Sequence, residues 1–448
     1  MRRINHRGLV AAMESEEEAA AAAAVVEATP EVAIGDNAES LETDLIEIAE
    51  VEADDAQAEA SVDEAVEVAE ALESISEGLR ASAAAGGLTK EGAHVVGLCV
   101  DHMYGRVGIR RAVSMPALES FGSTSSRVQA TTIAYEEIKE QAKALWAKII
   151  AAIEKSIAWL KEKFELFFGT AGKVKARADG LVAKAAGMSG EAKSAEIDNA
   201  RLFASLQASG KVDLAHTLAL VEGGTNSLFA TAGERVKALA AFVDGKDDEL
   251  VKLFNNLDGG ALKDVSSPDQ EGFKVKEGFK VKRTDELPGG KAVVAIVPSE
   301  SKSLAEDLAH SSFGISAYKP NAKAPTEGKL PTLSPAEAGN IAKQVADLAD
   351  AFQKHKVTSF KANEDKKNLI AAIKKHGGDA KTEEEQKAAK NARATLTAIS
   401  KLIDNPIAGG SAYILNTCKA VLDYTEESLK QFSGAPKAAP KAAEAAAA

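Results

Sequence analysis

The sequence predicts a mainly α protein: a long amphipathic helix plus a helical bundle, with a small β-hairpin insertion and a disordered acidic N-terminal region. Three observations predict this fold class. Apolar residues recur at helical spacing over most of the chain, glycines separate the periodic segments, and one short stretch alternates apolar and charged residues as a strand does. Aromatic residues make up only 5% of the chain, so we expect alanine-rich helices with thin interfaces and no single thick core.

Charge is distributed very unevenly along the chain. Residues 1–119 contain 25 acidic and 8 basic residues, a net charge of −17, whereas the remaining 329 residues contain 42 acidic and 46 basic residues, a net charge of +4. Such asymmetry is typical of an acidic tail with a role of its own. Between Leu41 and Leu79, apolar residues at helical spacing predict one or two acidic amphipathic helices, and a solvated, disordered tail is the alternative.

Changes in composition and pattern predict five segments. These are an acidic region that is partly helical or disordered (1–119), a helical domain that opens with the long helix (120–260), a β-hairpin with a Pro-rich linker (261–331), a C-terminal helical bundle (332–433) and a disordered Ala/Pro/Lys tail (434–448).

The strongest helical signal begins near Thr132, and its apolar stripe continues to Phe168, where Gly169 ends the predicted helix. Its polar face carries charges of both signs, which favours packing against protein over binding to a membrane surface. No apolar run is long enough to span a bilayer. Glycines then separate five shorter predicted helices: Val174–Ala186, Ala200–Gln207, Val212–Leu220, Leu228–Val243 and Asp247–Leu257.

One hexamer, EGFKVK, occurs twice in tandem, at Glu271–Lys276 and Glu277–Lys282. Its alternation predicts a strand, and the β-branched run Ala292–Val297 beyond a turn predicts the second strand of a hairpin. Four lysines would then share one face of the strand and are candidates for non-specific contacts with phosphates: Lys274, Lys276, Lys280 and Lys282. A solubilising surface or a protected strand edge is the alternative.

The C-terminal part returns to helical patterns. A short helix is predicted at Ser303–His310 and a Pro-rich linker at Pro320–Pro331. Ser334, Pro335 and Glu337 form a helix-start signal for a helix that runs to about Lys354. The remaining predicted helices are Lys366–Lys375, Thr382–Leu402 and Ala412–Phe432.

Known catalytic and cofactor motifs are missing from the sequence: it has no phosphate-binding loop, no dinucleotide fingerprint, no zinc-protease helix and no nucleophile elbow. We therefore predict no catalytic residues, no cofactor and no enzyme activity. His94, Cys99, Asp101 and His102 form one cluster of potential metal ligands, of which three are soft or borderline. A structural zinc site usually needs a fourth such ligand and regular spacing, and because neither is evident we predict no metal site. Cys99 and Cys418 are expected to be free thiols.

The stretch Met115–Ser123, with the helix that comes after it, resembles the internal head (inner-body) proteins of giant phiKZ-like tailed bacteriophages. The resemblance covers roughly residues 110–190. It implies an N-terminal propeptide, which a prohead protease removes after a motif of a small residue, any residue and Glu. Ala117, Leu118 and Glu119 match that motif, and cleavage would leave Ser120 as the new N-terminus.

The motif also fits Ser40-Leu41-Glu42, Ala65-Val66-Glu67 and Ala71-Leu72-Glu73, the last a candidate secondary cleavage site. The resemblance implies a structural protein of the capsid interior, assembled in the host cytoplasm and packaged with, or ejected with, DNA. Its implied partners are the prohead protease, other capsid or core proteins, and packaged DNA bound without sequence preference. Two alternatives remain: a cytosolic oligomeric scaffold with a permanent acidic regulatory tail, and an enzyme whose site carries no known motif.

Overall fold

A computed structural model describes residues 37–108, 115–257, 262–300, 303–323, 325, 327–376 and 382–432. The predicted disorder of the C-terminal tail, and the first 36 residues of the acidic region, lie outside this range. The described chain is mainly helical, as predicted. Within it, no helix is both long enough and apolar enough to cross a membrane.

Long helices dominate the structure. The acidic region forms α1 (Asn37–Ala84) and α2 (Lys90–Arg106), and a 3₁₀ turn (Leu118–Phe121) leads to α3 (Thr124–Ala186). The periodicity of the acidic region is thus borne out as one helix of 48 residues, followed by a second one.

The helix α3 contradicts the prediction that Gly169 ends a helix, because it continues through that residue to Ala186. A glycine inside a helix costs about 1 kcal/mol relative to alanine. Packing on either side offsets that cost: Phe167 and Ala171 are buried, and the Phe168 ring stacks on Phe352 with a centroid distance of 4.9 Å. Burying one such aromatic side chain contributes about 1.5–3 kcal/mol.

Short helices come next: α4 (Ala200–Leu206), α5 (Leu214–Ala230), α6 (Ala232–Val243) and α7 (Asp247–Asn255). The bounds of α4 and α7 are within two residues of the prediction, whereas α5 continues ten residues beyond its predicted end at Leu220 and α6 starts four residues after its predicted start at Leu228. Gly223 and Gly224 lie inside α5, although they were predicted to separate two helices. The break falls instead at Thr231. There the buried Arg235 donates a hydrogen bond to the Leu228 carbonyl oxygen at 2.7 Å, which satisfies one of the last carbonyls of α5.

The predicted hairpin is present within a larger sheet. Strands β3 (Phe279–Arg283) and β4 (Lys291–Pro298) pair antiparallel with Val281 opposite Ile296. The four-stranded order is β2-β3-β4-β5, where β2 is Lys263–Asp264 and β5 is Ser312–Ala317. The two added strands were not predicted, since β2 consists of two exposed charged residues and β5 has a single buried residue, Phe313. A four-residue helix, α8 (Pro268–Glu271), lies between β2 and β3.

The prediction that both EGFKVK copies form strand is wrong for the first copy. Gly272, the second residue of that copy, and Gly278, the second residue of the next copy, adopt positive φ angles of 96° and 89°. Its Phe273 packs into the cluster formed with Val281 and Val294 of the sheet. The first copy lies between α8 and β3, apart from Glu271, which is the last residue of α8. Only residues of the second copy are part of a strand, β3.

A two-stranded sheet lies elsewhere, formed by β1 (Glu196–Asp198) and β6 (Lys329–Pro331) with Ile197 opposite Leu330. The predicted Pro-rich linker therefore ends in a strand. The short helix predicted before it is confirmed as α9 (Leu304–His310).

The C-terminal helices are α10 (Pro335–His376), α11 (Glu383–Ile399), a π-helical turn (Ser400–Asp404) and α12 (Asn405–Lys430). The predicted start of α10 is confirmed: the Ser334 backbone N–H donates to Glu337 Oε2 at 2.9 Å, and the Glu337 N–H donates to Ser334 Oγ at 3.3 Å. The predicted break after Lys354 is absent. Buried Ser359 and Asn363 interrupted the apolar pattern without interrupting the helix.

The described chain forms two compact units, one of residues 54–159 and 370–397 and the other of residues 37–53, 160–369 and 398–432. Both contain parts of α1, α3 and α10. The five predicted segments with boundaries at 119, 260, 331 and 433 stay a prediction.

Candidate functional site

The predicted cleavage point lies in an exposed turn. Ala117 has extended backbone angles, φ −53° and ψ 141°, and the 3₁₀ turn begins directly after it. The turn is closed by a hydrogen bond from the Ser120 N–H to the Ala117 carbonyl oxygen at 2.8 Å. Leu118 is 42% exposed, and the Glu119 side chain is exposed as well. The bond between Glu119 and Ser120 is therefore accessible and held by a single turn.

The copies of the motif that end at Glu42, Glu67 and Glu73 lie inside α1. Their middle residues are buried: Leu41 is 1% exposed, Val66 5% and Leu72 0%. A protease needs accessible backbone that it can bind in an extended form, and a regular helix with a buried face denies it. Of these four motifs, the one at Glu119 alone combines an exposed middle residue with extended backbone immediately before it.

Glu73, the acid of the candidate secondary site, is a structural residue. Its carboxylate accepts a hydrogen bond from Trp146 Nε1 at 3.0 Å and another from the Arg393 guanidinium at 2.6 Å. That guanidinium also lies over the Trp146 ring, 5.3 Å from its centroid. Burial raises the pKa of Glu73, and the nearby Arg393 charge opposes the rise. A carboxylate held in this way is not available to a protease.

The four candidate phosphate-binding lysines do not share one strand face, contrary to the prediction. Lys280 and Lys282 lie on β3, whereas Lys274 and Lys276 precede it in the first EGFKVK copy. Two of them have neighbours: Lys276 Nζ is 2.9 Å from His310 Nε2, and Lys280 Nζ is 4.0 Å from Asp264 Oδ1. The arrangement is a dispersed basic surface.

Comparison with protein families shows which family the chain belongs to. A family model described as phiKZ-like phage internal head proteins matches residues 46–427. The chain belongs to this family. The comparisons with curated proteins and with solved structures gave no match. An internal head protein is a structural component of the virion, so this chain is a structural protein of the capsid interior whose partners are capsid or core proteins.

The family match is wider than the resemblance seen in the sequence. That resemblance rested on residues 110–190, whereas the family model also covers the sheet and the C-terminal helices. It begins at residue 46, inside the acidic region and ahead of Glu119. The larger part of α1 thus belongs to the family pattern.

His94, Cys99, Asp101 and His102 of this internal head protein all lie on α2. Across the part of the chain that the structure describes, no group of three or more His, Cys, Asp or Glu side chains is placed to hold a metal ion. Cys418 is a buried free thiol in α12, and burial raises its pKa to about 12.

The contacts of Glu73 with Trp146 and Arg393 were not predicted. Arg393 lies 320 residues from Glu73 in the chain, and no local pattern relates residues so far apart. Trp146 carried a usable signal, because a tryptophan on a buried helix face needs an acceptor for its indole N–H.

Proposed function

We propose that this internal head protein is made as a precursor and matured by a prohead protease that cuts between Glu119 and Ser120. The observation that carries the proposal is a contrast in exposure within the acidic segment: Leu118 is 42% exposed, whereas the middle residues of the motifs ending at Glu42, Glu67 and Glu73 are 5% exposed or less. The second candidate cleavage site, at Ala71-Leu72-Glu73, is disfavoured by the same contrast.

The charge of the body supports a role beside packaged DNA. Residues 120–448 carry a net charge of +4, whereas residues 1–119 carry −17. A slightly basic body can lie against phosphates without sequence preference, mainly through lysines. We propose that assembly takes place in the host cytoplasm and that the body is packaged with DNA or ejected with it. Lys274 and Lys282 are the strongest candidates for phosphate contacts, since neither has an ion-pair partner within the described residues.

One observation favours a second candidate function, a scaffold that keeps its acidic segment. The helix α1 is not a loose tail: Leu41, Ile48 and Leu72 are each at most 1% exposed. Membership of the family favours the virion over a purely cytosolic scaffold. Under this second function, the full chain would be the form found in particles.

Mass measurement of the chain in purified particles tests the proposal. The full chain of 46.7 kDa should be absent and a chain starting at Ser120 present. In particles assembled with Glu119→Gln, the uncut chain should accumulate, because the motif requires the carboxylate. Glu73→Gln is the matched control and should be cut as the natural chain is. A normal cut in Glu119→Gln, or a lost cut in Glu73→Gln, would refute the proposal.

A further inference from the structure

The contacts of the acidic segment determine its fate once the chain is cut. The described part of this segment, residues 37–108 and 115–119, contains α1 and α2, and the body begins at Ser120. We propose that the cut at Glu119 does not release the segment: α1 and α2 stay bound to the body as a separate, non-covalent chain. This inference rests on the proposed cleavage and adds an interaction surface with a defined partner.

The apolar side of α1 is the first support. Its buried residues recur at three- and four-residue spacing, which places them on one face of the helix: Leu41, Leu45, Ile48 and Val51, and further along Ala65, Val68, Ala69, Leu72 and Leu79. Ile46, on the opposite side, is 59% exposed. Release of the segment would uncover this face and the body surface beneath it, and exposing apolar surface to water is unfavourable.

Polar contacts between α1 and α3 fix one register. Lys173 Nζ lies 2.8 Å from Ser40 Oγ and 2.6 Å from Asp44 Oδ2. Lys163 Nζ donates to Glu47 Oε1 at 2.8 Å. Residue numbers rise along α1 while they fall along α3, so these stretches are antiparallel. Asp44 and Glu47 of the segment thus pair with lysines of the body.

The second part of α1, the residues just after it and α2 also contact the body. Glu73 of α1 accepts hydrogen bonds from Trp146 and Arg393. The Leu88 N–H donates to Thr131 Oγ1 at 2.9 Å, and Tyr104 hydrogen-bonds to Gln141. Polar contacts to the body therefore occur in both parts of α1, just after it and in α2.

One apolar cluster contains residues from both sides of the cut. Ala93 of α2 packs with Phe121 and Ala130 of the body, and Leu88 packs against the same cluster. None of these side chains is at the Glu119–Ser120 bond, so the cut leaves all of their contacts in place. Cleavage removes only the covalent tether, which affects binding through effective concentration.

The net charge of the protein inside the particle would then change when the segment dissociates, and not when the chain is cut. While the two pieces remain bound, their joint net charge is still −13. It becomes +4 for the body only when the acidic segment dissociates. A polyanion such as packaged DNA is chemically suited to compete for Lys163 and Lys173.

The test cuts the purified full chain outside the phage. The recognition sequence of an unrelated site-specific protease is inserted after Glu119, the chain is cut, and the products are separated by size exclusion at about 0.15 M and about 0.5 M salt, a range over which exposed ion pairs are increasingly screened. We expect the two pieces to co-elute in equal amounts at both salt concentrations, because apolar contacts provide most of the binding. Separate elution, or precipitation of the body without the segment, would overturn the proposal.

Two variants show which surface holds the pieces together. Leu41→Ala with Ile48→Ala should lower the co-eluting fraction several-fold, while Ile46→Ala should leave it unchanged. Equal behaviour of the two variants would contradict the assigned face. Circular dichroism of each uncut chain establishes that it folds. Since the inserted site does not depend on the prohead protease, an uncut Glu119 in particles would refute the cleavage proposal and leave this result standing.

Discussion

A buried ion pair in the C-terminal helices gives the most quantitative prediction. Lys366 of α10 contacts Asp404 at the end of the π-helical turn, with side chains 1% and 5% exposed. Breaking such a pair by removing one partner costs about 3–5 kcal/mol, whereas replacing both with apolar residues of similar volume is often neutral or stabilising. We therefore expect Lys366→Met and Asp404→Val each to destabilise the protein by about 3 kcal/mol or more, and the double variant by less than about 1 kcal/mol.

The pH dependence of Lys366→Met depends on the carboxyl that remains. Burial already raises the pKa of Asp404 above its ordinary 3.8, against the opposing charge of Lys366. Loss of Lys366 raises that pKa further. The folded variant then holds a proton that the unfolded chain releases above about pH 3.8, so its stability falls as the pH rises from there through the folded pKa. The destabilisation should therefore be smaller at about pH 5 than at about pH 8.

Urea unfolding of the four chains, together with hydrogen exchange of peptides around residues 366 and 404, measures these effects. Local exchange matters because a chain with two compact units need not unfold in a single step. If the double variant lost as much stability as the two single variants together, the pair would not be coupled and the reasoning would fail.

Two further predictions concern the acidic segment. Because burial raises the pKa of Glu73 above 4.5, the stability of the protein should fall as the pH rises from 4.5 through the folded pKa. Glu73→Gln, which resembles the protonated acid, should lose this part of the pH dependence when urea unfolding is measured between about pH 4 and pH 8. An unchanged pH profile of stability would contradict this prediction. Gly87 has φ +82°, and a Cβ there would lie 2.5 Å from the Arg127 carbonyl carbon, whereas Gly86 has φ +106° and open space. Both Gly87→Ala and Gly86→Ala incur about 1–3 kcal/mol of backbone strain, but only Gly87→Ala adds a clash. Gly87→Ala should therefore speed hydrogen exchange at the Leu88 amide more than Gly86→Ala does. Equal exchange rates at Leu88 in the two variants would contradict the close packing at Gly87.

Local signals predicted much of the secondary structure. The start of α10 at Ser334 and Glu337 was predicted because a capping box depends on residues three apart. The buried middle residues Val66 and Leu72 already belonged to the helical stripe in the sequence, whereas Leu118 did not. That difference anticipated which motif is exposed.

Errors arose where packing overrides local preference. Gly169 lies inside a helix because the aromatic residues beside it are buried. Ser359 and Asn363 are polar residues on the buried face of α10, so they interrupted the apolar pattern of the sequence although the helix continues through them. The pairs Lys366–Asp404 and Glu73–Arg393 join residues 38 and 320 positions apart. No local pattern in a single sequence relates such residues.

The central claim is that the precursor is cut between Glu119 and Ser120. Mass spectrometry of N-terminal peptides from purified particles tests it most directly. We predict a body that begins at Ser120 and no peptides that span the Glu119–Ser120 bond. Abundant spanning peptides, from a chain that keeps its acidic segment covalently attached, would contradict the account.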